Sequence, residues 1–436
     1  MKTVYTGAYV VTMDDAGTEY ENGWLLEEDG FVVAVGDGEP PEADRRSHLN
    51  GALVTPGFVN THHHLYQTLT RARAQQADLF TWLRELYPVW ARLDAEAEFA
   101  AATFGLAALM TSGCTTVFDH HYVFPRGVEG LIEAEVKAAQ ELGVRLVASR
   151  GSMDLGESDG GLPPDSLVEK LDDVLADTER LAALHERGKG AQIQLAVAPC
   201  SPFSVTTRLM RESAELARRL VLKLHTHLAE TAEEEEYCRE LYGCRPVEYL
   251  ADLGWLEGDV WCAHCVHLSD EDVRAFASGG VGVAHCPTSN LRLGAGIARV
   301  RELLDAGVPV GLGVDGSASN ERSDLAFEIK QALLVARARE GPAALTAREA
   351  LRLATRGGAA VLGRDDIGSL EPGKCADFAI WEDDWLFSGA DDPVGALVLG
   401  GPSTAGGLVI GGRHVFDNLF EDEIAREHRR VAARFA

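Results

Sequence analysis

Between residues 57 and 314, eight short apolar segments of β-type composition alternate with long amphipathic helical stretches, and both ends of the chain return to β-type sequence. The alternation predicts an α/β fold, a (β/α)8 TIM barrel. The β-rich ends predict a small β-sandwich built from the N- and C-terminal segments beside it. A third observation bears on where the chemistry sits: histidines stand at the ends of half the predicted strands.

Residues 4–12, 24–35 and 52–55 are β-rich and broken by turn signals such as Asp29-Gly30 and Gly36-Asp37-Gly38. Barrel strands are expected near 57–61, 115–118, 144–149, 192–198, 221–226, 260–263, 281–284 and 309–314. Helices are expected between them, for instance at 96–110, 129–142, 167–185, 208–220, 271–277 and 324–339. An open doubly wound sheet is the alternative, but no Gly-x-Gly-x-x-Gly turn follows the first strand. β-type sequence returns at 368–370, 376–381, 396–399 and 407–410. The expected units are therefore 57–363 for the barrel and 1–56 with 364–436 for the sandwich. The helix-like stretch 421–435 is expected to pack on the sandwich or extend beyond it, and 151–165 to form a loop over the barrel mouth.

Composition narrows the function classes. With 436 residues, 46% of them hydrophobic, and 45 glycines, the chain has the make-up of an α/β enzyme. No apolar run approaches the ~18–20 residues a spanning helix needs, and Met1-Lys2-Thr3-Val4-Tyr5 leads into strand-like sequence, so a cytoplasmic protein is expected, with no membrane partner. A net charge of −28 argues against a nucleic-acid partner, which would require Lys/Arg-rich surface. The acidic run 233–236 reads as the solvated first turn of a helix. Eight scattered cysteines suit reduced thiols. The pair Cys262 and Cys265 has CxxC spacing, but strand alternation would point the sulfurs to opposite faces.

The strand ends carry the chemistry, because a barrel of this kind places its site at the C-terminal ends of its strands. In Pro56-Gly57-Phe58-Val59-Asn60-Thr61-His62-His63-His64, alternation puts His62 and His64 on one face, half of a site for a borderline metal. Later strands end in Asp119-His120-His121, Pro199-Cys200-Ser201, His225-Thr226-His227 followed by Glu230, His264, His285 and Asp315. With 14 histidines in the chain, this clustering is unexpected from composition alone.

Those motifs, together with His227-Leu228-Ala229-Glu230-Thr231, Ala263-His264-Cys265, His285-Cys286-Pro287-Thr288-Ser289-Asn290 and Gly313-Val314-Asp315-Gly316, resemble the amidohydrolase superfamily. More narrowly, they resemble its mononuclear-metal branch of purine, pyrimidine and triazine deaminases. Tyr66-Gln67-Thr68-Leu69-Thr70-Arg71-Ala72, Leu79-Phe80-Thr81-Trp82-Leu83 and Asp315-Gly316-Ser317-Ala318-Ser319-Asn320 look most like the 8-oxoguanine deaminases, and hydroxyatrazine and related triazine hydrolases share much of this pattern.

The resemblance implies one Zn2+ per chain, with Fe2+ or Mn2+ as alternatives, held by His62, His64, His227 and Asp315. It implies His264 beside the attacking water and Glu230 as the proton shuttle, with Asp315 also touching the water. Gln67 would grip the heterocycle; Tyr66, Trp82, Cys200, Phe203 and His285 are further candidates for the substrate wall. Related guanine deaminases carry an arginine after strand four, where this chain has Cys200-Ser201-Pro202-Phe203, which counts against plain guanine. The dinuclear branches use a lysine on strand four, and Gln192-Ile193-Gln194-Leu195-Ala196-Val197-Ala198 has none. The expected substrate is a small heterocycle. The same resemblance implies a homo-oligomer. Triazine, isocytosine and guanine aminohydrolases are the alternatives, and a catalytically dead relative would have lost ligands that are all present here.

Overall fold

The computed structural model describes residues 1–382, 384–401, 404–416 and 421–436. The N-terminal strands are β1 (Lys2–Val11), β2 (Glu19–Glu28), β3 (Phe31–Gly36), β4 (Arg45–His48) and β5 (Leu53–Pro56). Eight strands follow: β6 (Phe58–Asn60), β7 (Cys114–Phe118), β8 (Arg145–Ser152), β9 (Ile193–Pro199), β10 (Lys223–Leu228), β11 (Val260–His264), β12 (Gly282–His285) and β13 (Val310–Leu312). The chain then adds β14 (Phe378–Trp381), β15 (Gly407–Ile410) and β16 (Arg413–His414).

Strands β6 to β13 pair in parallel and close into the expected barrel through Leu312 against Asn60. They are buried along nearly their whole length, as a parallel sheet covered by helices requires. The register sets His227 beside Ala263 and Leu228 beside His264, so the histidine-bearing ends stand at one level.

The two chain ends meet in one eight-stranded mixed sheet, ordered β16-β15-β14-β5-β1-β2-β3 with β4 paired to β1. β1 pairs with β4 over Thr3–Thr6 and with β5 at Tyr9 and Val10. The sheet encloses its own small core of Tyr5, Leu25, Val54, Phe378, Ile380 and Val409, so the sandwich is one folded sheet. Trp381 couples it to the barrel: fully buried, it stacks on Phe58 with centroids 5.4 Å apart and donates from Nε1 to Thr55 Oγ1 at 3.1 Å.

Several elements differ from the sequence reading. Residues 396–399 lie in a helix, Pro393–Gly400, and not in a strand. The Asp392 carboxylate accepts from Val394 N–H and Pro393 starts the helix, two signals that outweigh a four-residue apolar run. Residues 368–370 form a bend, with Gly368 at φ +84° packed against the Arg356 backbone, although Leu370 does reach the sheet core. The final helix, Glu421–Ala432, packs on the barrel instead of the sheet, His428 stacking on Phe104 at 4.1 Å. The alternation expected of Cys262 and Cys265 stops at His264, where the backbone turns left-handed, and Cys265 Sγ returns to within 3.9 Å of the Cys262 carbonyl. Among the described residues no helix is long and apolar enough to cross a membrane.

Candidate active site

β6 stops at Asn60, so His62, His63 and His64 follow the strand. The expected alternation survives: the His62 and His64 rings meet edge to face with centroids 4.7 Å apart, while His63 Nδ1 accepts from the His64 backbone N–H at 2.6 Å.

Hydrogen bonds fix the imidazole tautomers. His64 Nδ1 lies 2.7 Å from the His120 carbonyl, and His227 Nδ1 lies 2.7 Å from the Cys200 carbonyl. A carbonyl only accepts, so each Nδ1 carries its proton and each Nε2 keeps a lone pair. His62 is set through a relay. His225 Nδ1 donates to the Trp261 carbonyl at 3.0 Å, which leaves His225 Nε2 to accept from His62 Nδ1 at 2.9 Å. His62 Nε2 is then bare and has no hydrogen-bond partner among the described residues.

The three lone pairs converge. His227 Nε2 is 3.2 Å from His64 Nε2, and Asp315 Oδ1 stands 3.3 Å from His62 Nε2 and 3.2 Å from His64 Nε2. Burial drives His62 down to about 3 and His227 well below the usual imidazole range, so both rings are neutral. Burial also works against charge on Asp315, but its carboxyl is held well below the usual range, and the Ser289 and Ser319 hydroxyls and Gly316 N–H that donate to it favour the ionised form. Neutral imidazoles and one carboxylate aimed at a common point fit a divalent metal ion. His120 joins the group: its Nε2 donates to the Ala198 carbonyl at 2.8 Å, which leaves Nδ1 with a lone pair and no partner among the described residues.

The Asp315 carboxylate is held from three sides. Ser289 and Ser319 hydroxyls donate to Oδ2 at 2.5 and 3.2 Å, and Gly316 N–H donates to Oδ1 at 2.7 Å. His264 Nδ1 donates to Asn290 Oδ1 at 2.8 Å, which leaves its Nε2 facing Glu230 Oε2 at 3.6 Å and Asp315 Oδ2 at 4.0 Å. Burial, then the Asp315 charge, push the Glu230 carboxyl well above the usual range, which favours its protonated form. Glu234, in the acidic run expected to be solvated, is fully buried and accepts from the backbone N–H groups of Ala229 and Glu230 at 2.8 and 2.9 Å. Ala229, His264, Cys265 and Asp315 all hold left-handed backbone with φ between +49° and +70°. Such conformations cost non-glycine residues roughly 1 kcal/mol or more each and gather where function demands them.

A small, largely closed cavity of about 30 Å3 adjoins these groups. Gln67, Trp82, Cys200 and Phe203 line it, together with His64, His227, Glu230, His264 and Asp315. Gly316 makes room for Gln67, since a Cβ there would lie 1.9 Å from Gln67 Oε1. The helix Leu79–Trp90 covers the cavity with Leu79, Trp82, Leu83 and Tyr87, whereas no residue of 151–165 lines it.

Two expected wall residues stand elsewhere. Tyr66 packs in the core against Trp90 and His121, both at 5.3 Å, and His285 is buried off the cavity with both ring nitrogens unpartnered among the described residues. Tyr87 and Tyr122 line the cavity without having been expected. The spacing of Leu79, Trp82, Leu83 and Tyr87 on one helical face was a readable signal for the first; nothing comparable marks Tyr122.

The amidohydrolase family model matches residues 53–403. The chain is 50% identical over 423 residues to an 8-oxoguanine deaminase of Pseudomonas aeruginosa, covering 94% of each. It is 37% identical to the hydroxydechloroatrazine ethylaminohydrolase of Pseudomonas sp. strain ADP, covering 86% of this chain and 82% of that one. Among solved structures, the zinc-complexed atrazine chlorohydrolase of Arthrobacter aurescens TC1 superposes with a TM-score of 0.94 at 33% identity, covering 99% of this chain and 100% of the other. With the family model, the barrel and the relatives in agreement, the chain belongs to the amidohydrolase family.

Proposed function

We propose that this protein is a metal-dependent hydrolytic deaminase that converts 8-oxoguanine and water to urate and ammonia. One observation carries the reaction class: the buried Glu230 carboxyl faces His264 Nε2 at 3.6 Å in the cavity that Asp315, His64 and His227 also line, beside the converging ligand atoms of His62, His64 and His227. The 50% identity to an 8-oxoguanine deaminase supports the choice of ring.

His62, His64, His227 and Asp315 would hold one ion at this site, Zn2+ being the first choice and Fe2+ or Mn2+ the alternatives. When bound, such an ion lowers the pKa of a coordinated water toward ~7 and so supplies a nucleophile.

The chain's own groups do the rest. Asp315 and His264 orient the attacking water and take its proton, the His264 ring held in its tautomer by Asn290. Glu230 gives its proton to the ring nitrogen next to the amino-bearing carbon as the C–O bond forms. The proton taken from water then reaches the amine, the C–N bond breaks as the new carbonyl forms, ammonia leaves, and the remaining hydroxyl proton returns to Glu230. Burial that favours the protonated form of Glu230 makes it an acid suited to this transfer. Gln67 would pair with the edge of the ring, while Trp82 and Phe203 enclose its faces. The thiol and apolar wall at Cys200 and Phe203 supplies no cation for a purine that requires one, which supports an oxo-substituted ring over plain guanine.

Triazine hydrolysis is a second reading, supported by the TM-score of 0.94 to the atrazine chlorohydrolase. The high net negative charge and the expected cytoplasmic setting fit a small-molecule enzyme with no nucleic-acid partner. Steady-state ammonia release from 8-oxoguanine, guanine, isoguanine, isocytosine and hydroxyatrazine, measured side by side, tests the proposal. The highest kcat/KM is expected for 8-oxoguanine; preference for another ring overturns the substrate, and no reaction with any ring overturns the class.

A further inference from the structure

His120 and His121 are successive residues that face opposite ways. His120 joins the imidazole group described above; His121 enters a second cluster on the far side, with Asp119, with Glu98 from the helix Ala95–Thr111 and with Glu135 from the helix Leu131–Leu142. All four residues are 0% exposed.

His121 Nε2 donates to the Val123 carbonyl at 2.9 Å, so Nδ1 carries only a lone pair. That lone pair faces Glu135 Oε1 at 2.8 Å and Glu98 Oε2 at 3.7 Å. Asp119 Oδ1 accepts from Leu65 N–H at 2.6 Å. Asp119 Oδ2, both oxygens of Glu98, both oxygens of Glu135 and His121 Nδ1 meet no donor among the described residues. Arg150, whose charge reaches His121, is committed to Glu169 and Asp177 at 2.7 Å each.

Acceptors that face one another at hydrogen-bond distance need a positive species between them, and three carboxyl groups removed from water need neutralising. The ligand atoms of Glu98, His121 and Glu135 all lie within 4.8 Å of one another. Their separations of 2.8 and 3.7 Å bracket the roughly 3.0–3.4 Å expected between ligands that sit ~2.0–2.2 Å from one ion. An imidazole nitrogen with carboxylates suits zinc, manganese or ferrous iron better than magnesium or calcium, which favour oxygen-only shells.

We propose that Glu98, His121 and Glu135, with Asp119 beside them, hold a second divalent transition-metal ion, which cross-links two barrel helices to the segment following β7 and takes no part in the chemistry. The alternative is neutralisation by protons, since burial above all pushes the Glu98, Asp119 and Glu135 carboxyls well above their usual range.

The test is a metal count on the full-length protein, incubated in turn with Zn2+ and Mn2+ and desalted. About two ions per chain are expected for the wild type and about one for Glu135→Gln and Glu98→Gln, with ammonia release retained within several-fold. A wild-type count of about one with both metals, unchanged in the variants, overturns the proposal in favour of shared protons and leaves the proposed function untouched. Should the variants fail to fold, anomalous diffraction at the metal edge from wild-type crystals decides: a peak among Glu98, His121 and Glu135 is expected, and its absence after metal soaking refutes the site.

Discussion

Replacing Glu230 with glutamine keeps the size of the side chain and the backbone N–H bonds to Glu234 while removing the transferable proton. Asp315 is held ionised with donors from Ser289, Ser319 and Gly316, and His227 is driven to its neutral form by burial and its neighbours. General acid–base catalysis of this kind contributes 10²–10⁴-fold, so kcat/KM should fall about 10³-fold, which corresponds to ~4 kcal/mol of transition-state stabilisation at ~1.4 kcal/mol per decade. The pH profile carries a second signature. The Glu230 pKa is raised, so the protonated, active form persists above the usual carboxylate range and the basic limb appears only as pH passes that raised value; this limb should vanish from the residual activity of Glu230→Gln. The assay is steady-state ammonia release between pH 5 and 10 on protein with its metal content measured. Loss of less than tenfold, at unchanged metal content and with the basic limb still present, would refute the role assigned to Glu230.

Four further outcomes are expected. His225→Phe removes the acceptor that fixes His62 and should weaken metal affinity 10–100-fold, as read by competition with a chelator. Gly316→Ala drives a Cβ into the Gln67 amide and should raise KM at least tenfold with a smaller change in kcat, as separated by saturation kinetics. Asn290→Ala frees the His264 ring and should lower kcat about tenfold or more with KM nearly unchanged. Trp381→Ala empties the contact between sheet and barrel and should cost ~3–5 kcal/mol of stability, measured by denaturant unfolding.

The parallel barrel was legible because short buried apolar runs alternate with helical stretches along the chain. His62, His64, His227, Glu230, His264 and Asp315 could be read for a related reason: the fold collects whatever stands at the ends of its strands. Local pattern failed where another signal or a distant partner decided the outcome. The run 396–399 is apolar enough for a strand, yet Asp392 and Pro393 commit it to a helix. Glu234 sits in a run of four glutamates that looks uniformly solvated, and only the approach of the Ala229–Glu230 backbone buries it. The relay from Trp261 through His225 to His62 joins residues far apart in sequence, with a backbone carbonyl at its end that carries no side-chain signal. Tyr66 follows the metal motif directly, but the turn Leu65–Thr70 carries its ring into the core and Gln67 to the cavity. The second cluster was invisible because Glu98 and Glu135 occupy helix positions where a glutamate ordinarily faces solvent.

The most direct test of the central claim is the simultaneous quantification of urate and ammonia formed from 8-oxoguanine by the metal-loaded protein, with the Glu230→Gln variant run in parallel. The account predicts urate and ammonia in equal amounts from the wild type and almost none from the variant. Ammonia without urate, or equal turnover by the two proteins, would contradict it.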